Sequence, residues 1–276
     1  MTKPMTGYVE FGGGRVYYEV AGEGPALVLL HTGFLDSGMW DGQWRDFGQH
    51  HTVIRFDMRG FGKSDRAEEP VSRRHELYRV LEHIGVGRAT LVGCSLGGEV
   101  ILDFVLEHPE MVSGMIVVSA VAGGFEFQGE PPKHLLEMFA AAEQGDLTLA
   151  SELQMRLWVD GPFRQPEQAD PLVRRRAGEM SRAALAKGTW VVAHAPPPDP
   201  LDPPAMQRLG EIRVPTLIAA GELDNPEIVR AAEATASAIP GAKKVIFPGC
   251  AHLPNLEKPA EFNQTVLSFL EGDYHG

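Results

Sequence analysis

Residues 89–98 read Ala89-Thr90-Leu91-Val92-Gly93-Cys94-Ser95-Leu96-Gly97-Gly98, an apolar run that breaks into glycine around one serine. The run Ala89–Cys94 is β-branched or apolar almost throughout, which predicts a strand buried on both faces. From Leu96 onward Val100, Ile101, Phe104 and Val105 recur at helical spacing, and the pattern stops before Pro109. Ser95 therefore sits between a strand and a helix in the pattern G-x-S-x-G, the setting that gives this short motif meaning. To lift a hydroxyl above the end of a sheet the chain must turn sharply at the serine. Glycines two positions before and after let strand and helix approach without Cβ clashes. The helix starting at Leu96 then aims its unpaired N–H groups at any anion formed over Ser95. The bland alternative is a glycine-rich turn capped by a serine, and partners elsewhere in the chain decide between the two.

Working outward, further continuous apolar runs occur at Ala26–His31, Thr52–Asp57, Met115–Ala120, Thr216–Glu222 and Lys243–Pro248. Helical periodicity separates them, at Val71–Ile84 with Arg, Glu and His on its other face, and at Pro226–Ile239 and Pro259–Leu270, each opening on a proline suited to a first turn. Strands alternating with helices predict an α/β fold with a mostly parallel sheet. Tyr8–Phe11 and Arg15–Val20, joined by Gly12-Gly13-Gly14 as a three-residue loop, predict an antiparallel hairpin at one end. One interruption spans residues 124–204, rich in Ala, Leu, Met, Glu and Arg and closed by the proline-dense stretch Ala195–Pro204. This reads as a helical lid inserted between two strands, with residues 1–123 and 205–276 as the core. A separate helical domain is the weaker reading, since both ends must meet at one sheet edge.

Composition narrows the classes. The 276 residues are 43% hydrophobic and 22% charged, ordinary globular usage, and 31 Gly and 21 Pro exceed the usual shares of about 7% and about 5%. A formal charge of −12 disfavours nucleic acid and anionic membrane surfaces as partners. No stretch approaches 18 apolar residues and no export signal is visible, which makes a cytoplasmic location the expectation. Cys94 and Cys250 are too few for a disulfide framework and lack zinc spacing.

A serine nucleophile needs a base, and the base needs an orienting carboxylate. Of ten histidines, His252 lies in the loop after the last predicted strand, at the carboxyl edge of the sheet and within reach of Ser95. His50, His51, His75, His83, His108, His134 and His275 fall on predicted helices, helix ends or the tail; His31 ends a strand in another loop, and His194 of the lid stays open. Asp224 follows the run Thr216–Glu222 on the same edge. Its competitors are Glu222, which should point the other way, and Asp57, which reads as half of a structural turn with Arg59. The order is Ser95, Asp224, His252. An oxyanion needs two fixed N–H donors: Leu96, directly after the serine, and one from the loop His31-Thr32-Gly33-Phe34-Leu35.

With these loops in place the chain resembles the α/β-hydrolase fold superfamily over nearly its whole length. Asp57-Met58-Arg59-Gly60-Phe61-Gly62-Lys63-Ser64 is similar to the family's D-x-R-G-x-G-x-S turn, and Pro215-Thr216 with Gly221 and Asp224 to its P-T-L-x-x-x-G-x-x-D segment. The resemblance implies an eight-stranded, mostly parallel sheet flanked by helices, with the lid after strand 6. By position Gly33 supplies the second oxyanion N–H, with Phe34 next in line. Thr32 departs from the family's usual glycine. Serine at position 95 separates the chain from the similar haloalkane dehalogenases and epoxide hydrolases, which use Asp, and from dienelactone hydrolases, which use Cys. What remains is a serine hydrolase acting on small to medium carboxylic esters or lactones, a small-molecule substrate, with neither metal nor organic cofactor. Carbon–carbon bond hydrolases, perhydrolases and ligand-sensing receptors that keep the triad are the alternatives.

Within the lid, Trp158 is a candidate pocket wall and Trp190 a weaker one. Arg156, Arg164, Arg174, Arg175, Arg176 and Arg182 are candidate partners for a substrate carboxylate. Cys94 and Cys250 read as buried packing rather than a redox switch.

Overall fold

In the computed structural model, which describes residues 4–272, the chain folds around a single eight-stranded sheet. The strands are β1 (Met5–Phe11), β2 (Gly14–Ala21), β3 (Ala26–Leu30), β4 (Thr52–Phe56), β5 (Ala89–Cys94), β6 (Val112–Val118), β7 (Thr216–Gly221) and β8 (Lys243–Phe247). Their spatial order is β1-β2-β4-β3-β5-β6-β7-β8. The pairs β1/β2 and β2/β4 are antiparallel and all others parallel. The hairpin differs in one detail from its sequence reading. Phe11 pairs with Gly14, so the turn has two residues, Gly12 and Gly13, both at positive φ. That is the geometry favoured between twisted strands, and it leaves the third glycine in the ladder.

Helices α1 (Asp41–Phe47), α2 (Arg73–Ile84) and α3 (Leu96–Glu107) follow β3, β4 and β5. The second helix starts at Arg73 rather than Val71 because the Ser72 hydroxyl caps it, accepting from His75 N–H at 3.4 Å. Between β6 and β7 lie α4 (Leu135–Glu143), α5 (Leu147–Gln154), a π-helical segment Met155–Asp160, α6 (Pro171–Ala186), α7 (Trp190–Ala193) and α8 (Ala205–Arg208). Among the described residues no strand interrupts this stretch. Helix α9 (Pro226–Ala238) follows β7, and α10 (Pro254–Glu257) and α11 (Pro259–Leu270) follow β8.

Apolar layers cover both faces of the sheet, which is why its parallel strands read as continuous rather than alternating apolar runs. Leu91 of β5 packs in one layer with Leu77 of α2 and Phe104 of α3. Val92 and Cys94 of β5 face the other, with Phe47 of α1 and Phe262 of α11. Each large apolar side chain buried this way contributes roughly 1.5–3 kcal/mol. The residues just past the ends of β3, β5, β6, β7 and β8 leave the ladders and gather at one edge.

Candidate active site

Ser95 stands between β5 and α3 with φ 53° and ψ −116°, a conformation side-chain-bearing residues seldom adopt. The turn is possible because Gly93 lacks a side chain: a Cβ there would lie 2.2 Å from the Gly97 carbonyl oxygen. Leu96 N–H opens α3 and, like Gly33 N–H, has no hydrogen-bond partner among the described residues. Phe34 N–H instead faces the Thr32 hydroxyl at 3.4 Å, so the threonine in this loop draws that donor inward. The Gly33 carbonyl accepts the indole N–H of Trp190, of α7, at 3.0 Å, which fixes the peptide.

Asp224 and His252 are both fully buried, and the imidazole Nδ1 lies 2.8 Å from Asp224 Oδ2. A carboxylate only accepts, so Nδ1 is the donor, and in the neutral imidazole Nε2 then carries the lone pair. Nε2 is buried with no partner among the described residues, and His252 and Ser95 line the same cavity. The loops that carry Asp224 and His252 are clasped by Leu223 N–H donating to the Cys250 carbonyl at 2.7 Å. This clasp requires glycine at 221, where a Cβ would meet the Ala251 carbonyl at 1.9 Å. Trp158 lies with its ring centroid 4.7 Å from that of His252 and 6.4 Å from that of Phe34.

The competing residues have other work. His31 is wholly buried, accepts Met58 N–H at Nε2 (2.9 Å) and turns Nδ1 to the Thr32 carbonyl; burial pushes its pKa down to about 4. His194 lines the cavity with Nδ1 2.7 Å from the Trp190 carbonyl, and burial likewise holds it neutral, with a pKa of about 4. Asp57 does not pair with Arg59: it accepts the backbone N–H groups of Ser37 (2.8 Å) and Lys63 (2.7 Å), while Arg59 reaches Glu76 and the Gly12 carbonyl. Glu222 accepts Gly249 N–H. His275 lies outside the described residues. Both cysteines are free and buried, and desolvation raises both thiols, Cys250 to about 12.

The cavity measures about 570 Å³. Its wall includes the apolar side chains of Leu96, Trp158 and Trp190, with Met138 and Phe139 of α4. None of the six lid arginines singled out from the sequence lines it; Arg174, for example, pairs with Glu152 and Asp160. The cavity is also lined by Arg73 and Arg74, on a helix face that reads as solvated in the sequence, together with Glu99 and Asp103. The acids follow Ser95 at i+4 and i+8 along α3, a spacing that carries the signal for a shared face. Both arginines are committed. Arg73 binds Glu76 and the Arg59 and Ala193 carbonyls, and Arg74 binds Glu107, Asp199 and, at 3.7 Å, Asp103.

Among the described residues the Glu99 carboxyl has no hydrogen-bonding partner, and burial followed by repulsion from Asp103 raises its pKa to about 7. Asp103 is raised to about 6, chiefly by burial and against the pull of Arg74. The folded chain thus holds the Glu99 proton more tightly than the unfolded chain does. Its contribution to stability is full below about pH 4.5, where both states are protonated, and falls away as pH rises to about 7. E99Q should therefore be stabilised relative to the parent chain at pH 8 but not at pH 4, by up to about 3 kcal/mol. Urea unfolding of both proteins at the two pH values measures this, and equal curves for both would show that Glu99 ionises freely.

Among the described residues no group of three or more His, Cys, Asp or Glu is arranged to hold a metal ion, and no helix is long and apolar enough to cross a membrane. A family model described as alpha/beta hydrolase fold matches residues 25–259. A 2-hydroxy-6-oxo-6-phenylhexa-2,4-dienoate hydrolase from Comamonas testosteroni is 29% identical over 266 residues, covering 92% of this chain and 91% of that protein. Among solved structures, Est816, described as an N-acyl homoserine lactone degrading enzyme, is 28% identical with a TM-score of 0.75, covering 95% of this chain and 100% of its own. The carboxylesterase CesB of Bacillus subtilis is 26% identical with a TM-score of 0.77, covering 98% and 92%.

Proposed function

The chain belongs to the alpha/beta hydrolase fold family, and from that premise we propose that it cleaves uncharged carboxylic esters or lactones of small to medium size through an acyl-enzyme on Ser95. The observation that carries this reading is the buried Asp224–His252 hydrogen bond, which leaves Nε2 unpaired toward the cavity that Ser95 borders. His252 takes the Ser95 proton as Oγ attacks the carbonyl, and Asp224 holds the productive tautomer and offsets the imidazolium charge. The N–H groups of Gly33 and Leu96 receive the oxyanion; Gly33 is favoured over Phe34 because Phe34 N–H is turned to Thr32. His252 then protonates the leaving alkoxide and later activates water. Residues 124–204 act as a cap, with Trp158 as pocket wall.

The relatives carry names of three chemistries, and the charge of the pocket favours two of them. A dienoate brings a carboxylate that needs a free cation. Here the cavity's two arginines are already neutralised, and Glu99 and Asp103 add negative charge. Neutral p-nitrophenyl esters and γ- or δ-lactones are therefore expected to have kcat/KM at least about tenfold above the same acyl chain ending in a carboxylate, a difference of about 1.4 kcal/mol. A panel of the three substrate types, with a dienoate included, measures this. Faster cleavage of the dienoate than of every ester would move the reading to carbon–carbon bond hydrolysis.

A further inference from the structure

Ser119 is the residue directly after β6, and nothing in the reading above uses it. Its hydroxyl is buried with no hydrogen-bond partner among the described residues, and Ser119 lines the same cavity as Ser95 and His252. Its φ is 48°; among the described residues only Ser95 and His134 share a positive φ without being glycine. Tertiary structure holds this uncommon conformation: Ser119 N–H donates to the Ala219 carbonyl at 2.8 Å. The sheet register locates it further. Cys94 is paired with Val118, and Ser95 N–H donates to the Val118 carbonyl at 2.8 Å, so the two serines are neighbours across parallel strands spaced about 4.8 Å apart.

The strand order decides which side of the reacting carbon Ser119 serves. Gly33 follows β3 on one flank of β5, whereas Ser119, Asp224 and His252 follow β6, β7 and β8 on the other. A hydroxyl on the β6 flank stands across β5 from Gly33 and on the side of the base. We propose that Ser119 is a positioning residue for deacylation, its hydroxyl and His252 Nε2 together holding the water that resolves the acyl-enzyme. In that step the water oxygen bonds to the acyl carbon as His252 Nε2 takes one of its protons. The carbon–Oγ bond then breaks, Ser95 recovers the proton from His252, and the carboxylic acid departs. Two unpaired polar atoms on one cavity, a lone pair and a hydroxyl, supply the acceptor and the second anchor that a single water needs.

The assignment rests on the acyl-enzyme reading, so the test separates the two. Ser119→Ala and Ser119→Gly are each mixed with p-nitrophenyl acetate, and covalent adduct and product are followed by rapid quench and intact mass. Acylation should stay within about threefold of the parent, while deacylation slows about 10- to 100-fold, the order expected when a reacting group loses its positioning. Acyl-enzyme then accumulates and a burst of p-nitrophenol appears in both variants. Equal slowing of both steps, no slowing, no accumulation, or a loss in the alanine variant that glycine repairs would each overturn the role of the hydroxyl. Stoichiometric phosphonylation of Ser95 in the same samples checks the parent reading independently. If Ser95 stays unlabelled, it is the acyl-enzyme itself that fails.

Discussion

Ser95→Ala is expected to reduce kcat for p-nitrophenyl acetate by about four to six orders of magnitude, with KM little changed. Removal of a serine nucleophile leaves only the oxyanion donors and substrate binding, a residue of roughly 10³–10⁴ over water. The variant should fold normally. Alanine retains the Cβ already present at φ 53°, and the Ser95 side chain makes no cap hydrogen bond to α3. Thermal unfolding beside initial-rate assays separates lost chemistry from lost structure. Activity within tenfold of the parent would move the nucleophile elsewhere, and Ser119, one strand away, would be the first residue to examine.

Asp224→Asn is expected to lower kcat by about 10⁴-fold without opening the loop. Asparagine keeps the shape and can still accept Asn225 N–H, now received by Asp224 Oδ1 at 2.7 Å. Its amide can donate to His252 Nδ1, which would push the ring proton onto Nε2 and remove the lone pair that faces the cavity. The imidazolium formed during acylation would also lose its adjacent negative charge. Steady-state kinetics measure the loss, and a decrease of less than tenfold would mean that another carboxylate orients the base.

Some of this was legible before any coordinates because the backbone demands it locally. A serine raised over a sheet edge needs glycines at fixed offsets, so Ser95 announces itself. Asp224 and His252 stand just past the ends of apolar runs, and the parallel alternation brings those ends to one edge. Other features depend on packing between distant segments and leave no short signature. Trp190 meets Gly33 from 157 residues away in the chain, and arginines such as Arg174 are drawn away by local acids such as Glu152 and Asp160. The basic face of α2 reads as solvated, yet Arg73 and Arg74 are buried against the proline-rich return of the insertion, reaching Ala193 and Asp199. Ser119 is inconspicuous in sequence, since one serine after an apolar run has no spacing to mark it.

The indole of Trp190 has two duties: its ring walls the cavity, and its N–H grips the carbonyl of Gly33. On the proposed mechanism one side chain therefore bounds part of the acyl pocket and also aligns the peptide that meets the negative oxygen. A redesign that trims the ring to admit a bulkier acid would loosen the peptide at the same time, trading turnover for breadth. Phe139 packs its ring 5.4 Å from that of Trp190 and shares the constraint, so Met138 of α4 is the wall position from which substrate range can be altered at the least expense to rate.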